Sequence, residues 1–227
     1  MNIGVLGTGI VAKTIAGKLA SLGHSVKLGT RDPKATLARE DKDMAGGPPV
    51  RVWLETQPKV TLVPFAEAAA HGALVVNALS GQGALQALEL AGADNLAGKI
   101  LLDISNPLDF SKGMPPSLLV ANTDSLGEQI QRALPKTKVV KTLNTVSAFL
   151  MVDPASLAKG DHTMFVCGND REAKGEVTRI LKEWLGWKDV IDLGDLSNAR
   201  GTEMWVPLWA RLFGVLQTPN FNVRVVR

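Results

Sequence analysis

The stretch "NIGVLGTGIVAKTIAGKLASLGHSVKLGTRDPK", from Asn2 to Lys34, constrains the chain more than any other. It reads as an apolar strand, a glycine turn, a helix and a second strand. Gly7-Thr8-Gly9-Ile10-Val11-Ala12 fits G-x-G-x-x-A. In that pattern the first glycine makes the tight turn, the second lets the backbone approach a pyrophosphate, and the small last residue lets helix and strand pack closely. The helix N-terminus then offers unpaired N–H groups and the positive end of its dipole to the anion. The glycine pattern alone is weak; its place between a strand and a helix of one βαβ unit supplies the context it needs.

The end of the second strand narrows the expected ligand. A site for NAD usually carries Asp or Glu about 20 residues after the glycines, accepting from the ribose hydroxyls, and that carboxylate would repel a 2′-phosphate. Here the place holds Thr30-Arg31, with Lys34 shortly after. A hydroxyl, a planar guanidinium fork and a point charge suit phosphate oxygens. Asp32 lies past the expected strand end and reads as a turn or cap residue before Pro33. The expected cofactor is NADP(H); solvated loop cations are the plainer alternative for Arg31 and Lys34.

Beyond this unit, apolar strands alternate with helices. Strands are expected at Asn2–Gly7, Ser25–Thr30, Val60–Pro64, Ala73–Leu79, Lys99–Ile104 and Lys138–Leu143. Runs such as "ALVVNAL", "KILLDI" and "KVVKTL" are continuously apolar, which suits parallel strands buried on both faces. Helices are expected at Ile10–Leu22, Gly83–Ala91 and Asp124–Leu134, the last capped by Thr123 or Asp124. The fold class is therefore α/β, a Rossmann-type doubly wound, mostly parallel sheet. After about Ala148 the rhythm changes to strand "HTMFVCGND", helix "REAKGEVTRILKEWLG", strand "KDVIDLGDL", a helix over Asn198–Leu216 and an edge strand "FNVRVVR". Residues 1–147 are expected to form the dinucleotide-binding domain. Residues 148–227 are expected to form a smaller α+β domain that closes an acceptor pocket and adjoins a dimer interface. Glu40–Pro58, polar and rich in Gly and Pro, reads as a surface excursion.

Bulk composition removes several function classes. The 227 residues carry 25 Lys and Arg against 22 Asp and Glu, a formal charge of +3. No dense basic run accompanies it, so nucleic acid is not an expected partner. A single cysteine, Cys167, leaves no intrachain disulfide and no Cys-rich metal site; its strand-like setting suggests a small buried apolar residue. No run is long and apolar enough to suggest a membrane span, and a cytoplasmic protein is expected.

Acid–base equipment is sparse. There is no tyrosine, which removes a Ser-Tyr-Lys type of hydride transfer. His24, His71 and His162 are placed away from the carboxyl ends of the parallel strands, and no metal-ligand spacing occurs. The strand-end loops "NALSGQG" (Asn77–Gly83), "DISNPLDF" (Asp103–Phe110) and "TLNTVSAF" (Thr142–Phe149) are small and polar. Such loops can orient an amide-bearing ring without proton chemistry, which suits exchange of hydride between two cofactor-like rings. A dehydrogenase or imine reductase of a small metabolite, and a non-catalytic NADP-binding redox sensor, are the alternatives. The first would need a larger helical C-terminal domain than this chain has. In "EMWVPLWARLFGVL" Trp205, Leu208, Trp209, Leu212, Phe213 and Leu216 share a helical face, as core, as dimer interface or as a pocket wall.

These pieces together resemble one family, the NADPH-dependent reductases of the deazaflavin coenzyme F420 (F420H2:NADP+ oxidoreductases). The likeness runs through "GTG", "GTRDPK", "SNPLD", "TLNTVSA" and "DVIDLGDLSNAR" and spans essentially the whole chain. A related nucleotide-domain pattern occurs in membrane ferric reductases. The resemblance implies pyrophosphate contacts at Thr8, Gly9, Ile10 and Val11 after the turn at Gly7, and 2′-phosphate contacts at Thr30, Arg31 and Lys34. It implies that Ala78, Leu79, Gly81, Asn106, Pro107 and Asn144 to Ala148, Thr145 among them, flank the nicotinamide. It further implies coenzyme F420, or a flavin, as second substrate stacked in an apolar pocket; from the residues themselves no catalytic side chain and no metal are expected, and a homodimer is expected from the apolar face of the last helix.

Overall fold

The computed structural model describes residues 1–43 and 46–227; Met44 and Ala45, inside the Glu40–Pro58 excursion, lie outside the described residues. The chain opens with β1 (Asn2–Leu6), α1 (Ile10–Ser21) and β2 (Ser25–Thr30), the expected βαβ unit. It continues through α2 (Pro33–Leu37), α3 (Val50–Glu55), β3 (Val60–Pro64), α4 (Phe65–His71), β4 (Leu74–Asn77), α5 (Gly81–Ala91), α6 (Ala93–Leu96) and β5 (Ile100–Asp103). A small hairpin of β6 (Leu108–Asp109) and β7 (Ser117–Leu118) precedes α7 (Leu126–Ala133) and β8 (Lys138–Thr142). Then come α8 (Ala148–Val152), β9 (Thr163–Gly168), α9 (Arg171–Glu183), β10 (Asp189–Asp192) and α10 (Ala199–Leu216).

Among the described residues, eight strands form one sheet in the order β10-β9-β8-β5-β4-β1-β2-β3. Every neighbouring pair is parallel except β8 with β9. Both faces are buried, which explains the continuous apolar runs. Alternate residues of each strand point to opposite faces, so Leu74, Val76, Leu102 and Val140 join one core while Val75, Leu101 and Val139 join the other. The chain order reverses beside β1, between β2 and β4, and ligands of open α/β sheets bind in the crevice outside the strand ends there.

The division expected at residues 147 and 148 crosses a continuous sheet: β9 and β10 extend the edge at β8, and Met164, Val166 and Trp187 share the core of Val5 and Val140. The terminal segment "FNVRVVR" is not the edge strand expected. Its backbone hydrogen bonds to β9 all fall on Thr163, whose N–H donates to Val223 O (2.9 Å) and whose Oγ1 accepts from Val225 N (3.0 Å), while the Thr163 carbonyl accepts from the Asn222 side chain, Nδ2 (3.0 Å). With one residue taking all three bonds, no ladder propagates.

Two caps show local chemistry. Asp32 caps α2 as expected, accepting from Ala35 N at 3.0 Å. Helix α7 is capped by Ser125, not by Thr123 or Asp124: Ser125 Oγ accepts from Glu128 N (3.1 Å) and donates to Glu128 Oε2 (2.7 Å). The signal was the spacing Ser-x-x-Glu, a capping-box pattern. The polar excursion is pinned by the buried Lys13, which reaches Asp43 Oδ2 and Pro48 O, each at 2.7 Å.

Candidate functional site

The parallel strands β1, β2, β4, β5 and β8 end on one edge of the sheet, and two cavities open there. The first is a polar cleft of about 480 Å³ lined by Gly7, Thr8, Gly9, Thr30, Arg31, Asp32, Arg39, Ala78, Leu79 and Ser80, among others. Gly7 has φ +118°, and a Cβ on it would stand 2.6 Å from Ala78 O; the tight turn admits only glycine. Gly9 differs: it is the N-cap of α1, no side chain caps that helix, and a Cβ there would meet nothing within 4 Å. Open space above an uncapped helix N-terminus is what a pyrophosphate needs, so these residues fit the group the motif implies.

At the far end of the cleft Arg31 is exposed, its Nη2 donating to Gln86 Oε1 at 3.2 Å. Thr30 is buried, and its hydroxyl lies 2.8 Å from Thr36 Oγ1, which itself donates to Asp32 O at 2.8 Å. The Thr30 proton is therefore spent on Thr36, leaving only acceptor lone pairs, so Thr30 forms part of the wall and not the phosphate donor expected. Lys34 is exposed on α2 and is absent from the cleft lining; Arg39, just past α2, is the second cation there. Sequence reasoning passed over Arg39. Its distance from Lys34, a little over one helical turn, was the available signal.

The second cavity, of about 370 Å³, begins where the first turn ends: Ile10 and Val11, next to Gly9, form part of its wall. Asn106, Asn144, Thr145, Val146, Ser147 and Ala148 come from the strand-end loops. Leu108, Phe110 and Met114 come from the β6–β7 hairpin, and Val206, Trp209, Ala210 and Phe213 from α10. Among the described residues lining it, none carries a titratable side chain. Asn106 and Asn144 lock each other at its mouth: Asn106 Nδ2 donates to Asn144 O (2.9 Å) and Asn144 Nδ2 to Asn106 Oδ1 (3.0 Å). The turn into Asn144 is made by Leu143 at φ +63°. A non-glycine residue there costs about 1–3 kcal/mol, kept where surrounding structure over-determines it. Trp209 stacks on Phe213 and Phe221 at 5.7 and 5.3 Å.

Gly81 and Pro107 do not line either cavity; Gly81 packs against the backbone of Asn106 and Pro107, where a Cβ would collide, so α5 closes on that loop. The aromatic face expected on α10 divides. Trp209 and Phe213 face the cavity, Trp205 Nε1 donates to Thr145 O at 3.0 Å, and Leu208 and Leu216 are exposed.

Beneath the loops lies a cluster that sequence reasoning missed. Lys141, Asp103 and Glu203 are fully buried, with Lys141 Nζ 2.8 Å from both Asp103 Oδ2 and Glu203 Oε1. Burial opposes the ammonium charge, and the two carboxylates outweigh it, holding Lys141 above the usual lysine range. Cys167 is buried on β9, and desolvation pushes its thiol up to about 12. Because β9 runs antiparallel, its first residues lie on the carboxyl edge of β8, so His162 is nearer that edge than expected. It is nevertheless buried, with Nε2 2.9 Å from Pro154 O, and lines neither cavity. Among the described residues no group of three or more His, Cys, Asp or Glu is placed to hold a metal ion.

A doubly wound sheet with this first turn defines a dinucleotide-binding protein of the Rossmann class. Residues 2–107 match the family described as NADP oxidoreductase, coenzyme F420-dependent, and the chain belongs to that family of NADP-dependent oxidoreductases. It is 60% identical, over 100% of both chains, to a crystal structure from Arthrobacter sp. FB24 provisionally assigned as an F420-dependent NADP-reductase, with a TM-score of 0.94. It is 30% identical to Metalloreductase STEAP3 of Rattus norvegicus over 91% of its own length and 36% of that protein. The chain spans little more than a third of the curated relatives it matches. A reductive aminase from Aspergillus terreus, solved with NADPH and ethyl levulinate, shares the fold: 16% identity, TM-score 0.61, covering 95% of this chain and 62% of that one.

Proposed function

We propose that this chain transfers hydride between NADP(H) and a deazaflavin of the F420 type, or a flavin-like acceptor, with no side chain acting as acid or base. The observation that carries the reading is the apolar cavity: it adjoins the nucleotide turn, and the described residues lining it offer flat hydrophobic surface and amides but nothing that titrates. Bound together, the two ring systems would supply the hydride donor and an acceptor that manages its own proton. The chain's part is to bind, align and dry them. Gly9 and the α1 N-terminus receive the pyrophosphate, and Arg31 and Arg39 the 2′-phosphate. Ala78 and Leu79 line the nucleotide cleft beside the phosphate turn. Asn106, Asn144, Thr145 and Ala148 flank the nicotinamide, while Trp209 and Phe213 face the acceptor.

The same reading includes a cytoplasmic homodimer. Exposed apolar residues in the second half of α10, Leu208, Val215 and Leu216, support a second copy there, and no helix among the described residues is long and apolar enough to cross a membrane. The test mixes purified protein with NADPH and oxidised F420 and follows deazaflavin absorbance, with FMN and FAD as parallel acceptors and NADH as the nucleotide control. Bleaching with NADPH and F420 supports the assignment. NADPH binding with no turnover on any of the three refutes it.

A further inference from the structure

The buried ionic cluster connects the two walls of the proposed site. Glu203 lies on α10, one turn before Val206 and two before Ala210, both in the cavity wall. Its Oε2 accepts from Leu126 N at 2.8 Å; its Oε1 accepts from Gly127 N at 3.0 Å and from Lys141 Nζ at 2.8 Å. The ammonium of Lys141 gives its other protons to Asp103 Oδ2 at 2.8 Å and to Ser105 O at 2.5 Å. Asp103 Oδ1 accepts from Asn77 Nδ2 (2.7 Å), Ser105 N (3.1 Å) and Ser105 Oγ (2.7 Å). The three ammonium protons each have a partner, and all four carboxylate oxygens are engaged. One net negative charge remains, and the N-terminus of α7 faces it.

The residues at the ends of this chain of bonds are those that shape the site. Asn77 leads into Ala78 and Leu79 of the nucleotide cleft, and Ser105 leads into Asn106, locked to Asn144 at the cavity mouth. On the other side, the polar ties of α10 to other elements lie, among the described residues, in its first half: Arg200 to Glu128 at 2.6 Å, Glu203 as described, and Trp205 to Thr145 O; beyond them Val206, Trp209 and Ala210 are held by apolar packing. Its far end is loosely covered, with Val215 80% exposed. Turning or sliding α10 would strand buried charges, which is far costlier than losing an exposed pair. Glu203 therefore fixes one register for the helix that carries Trp209 and Phe213.

We propose that Glu203 is a positioning residue for hydride transfer, setting, through Lys141 and Asp103, the distance between the loops at the nicotinamide and the α10 wall at the acceptor. The proposal rests on the hydride-transfer reading above. The test uses the full chain with Glu203→Gln, nearly isosteric but uncharged, and Glu203→Asp, charged on a shorter arm. Three quantities are measured: NADPH affinity by fluorescence titration, the KM for F420, and the single-turnover rate of hydride transfer.

The expected result is a split. NADPH affinity stays within about twofold, while the single-turnover rate falls by about 10- to 100-fold, the scale of a misplacement near 1 Å. The KM for F420 rises, and Glu203→Asp is the milder of the two. Wild-type rate and KM in both variants, loss of NADPH binding in proportion to turnover, or failure of both variants to fold would each overturn the assignment. Failure of the wild-type protein to reduce F420 would overturn the hydride-transfer reading itself, and the two failures are told apart by that control.

Discussion

Replacing Arg31 with Ala should separate NADPH from NADH. In the free chain the guanidinium is exposed and bonded to Gln86 Oε1 at 3.2 Å, a contact worth no more than about 0.5–1.5 kcal/mol net. A guanidinium on a phosphate is charge-assisted and contributes about 1.5–3 kcal/mol. Giving up the first to gain the second leaves roughly 1–2 kcal/mol at this rim position, or about 5- to 30-fold in Kd at ~1.4 kcal/mol per decade. Arg39 lines the same cleft and keeps part of the attraction, so the double replacement Arg31→Ala/Arg39→Ala should lose more. Both losses should shrink as salt rises, because the site is open to solvent. NADH lacks the 2′-phosphate, and its Kd should move by less than about twofold. Fluorescence titration of both nucleotides at two ionic strengths measures all of this. Equal losses for NADPH and NADH would refute the phosphate assignment for Arg31.

The two glycines of the first turn should behave oppositely. Gly9→Val adds a side chain into open space, so it should cost only about 1 kcal/mol of stability as a poorer N-cap yet abolish measurable binding of both nucleotides. Gly7→Ala meets Ala78 O and a φ of +118°, so it should lower Tm by several degrees; a reversed ranking would mean the turn is misassigned. Cys167, buried with its thiol pushed up to about 12, should resist a disulfide reagent at pH 8 in the native protein and react fully once unfolded. Rapid native labelling would show that β9 opens.

The sheet was legible because its signals are local. Both-face burial writes continuous apolar runs into single strands, and each of the six expected first formed within about two residues of its place. The glycine turn was legible for the same reason: a φ of +118° at Gly7 and empty space at Gly9 are properties of single positions. Short α2 and α3 were missed, being only 5 and 6 residues long and too short for a periodic pattern. In the structure Thr30, Arg31, Ala78 and Leu79 line the nucleotide cleft, and Asn106 and Asn144 the second cavity. Lys34, exposed on α2, is not in the cleft lining, while Arg39, two residues past the end of that helix, is.

The ionic cluster marks where sequence reasoning stops and what would carry it further. Lys141 stands inside "KVVKTL" and Asp103 at the end of "KILLDI", both runs that read as strands buried on two faces. A charge in such a run must find a partner, since an unpaired buried ion is prohibitively costly. Pairing Lys141 with Asp103 is open to that logic, because β5 and β8 are neighbours in register, Asp103 opposite Lys141. Glu203 is not, for it sits 62 residues beyond Lys141 on a helix whose packing only the folded chain decides. Pattern therefore finds the half of the cluster held within the sheet. The half that joins the sheet to α10, and with it the shape of the acceptor wall, is a tertiary fact.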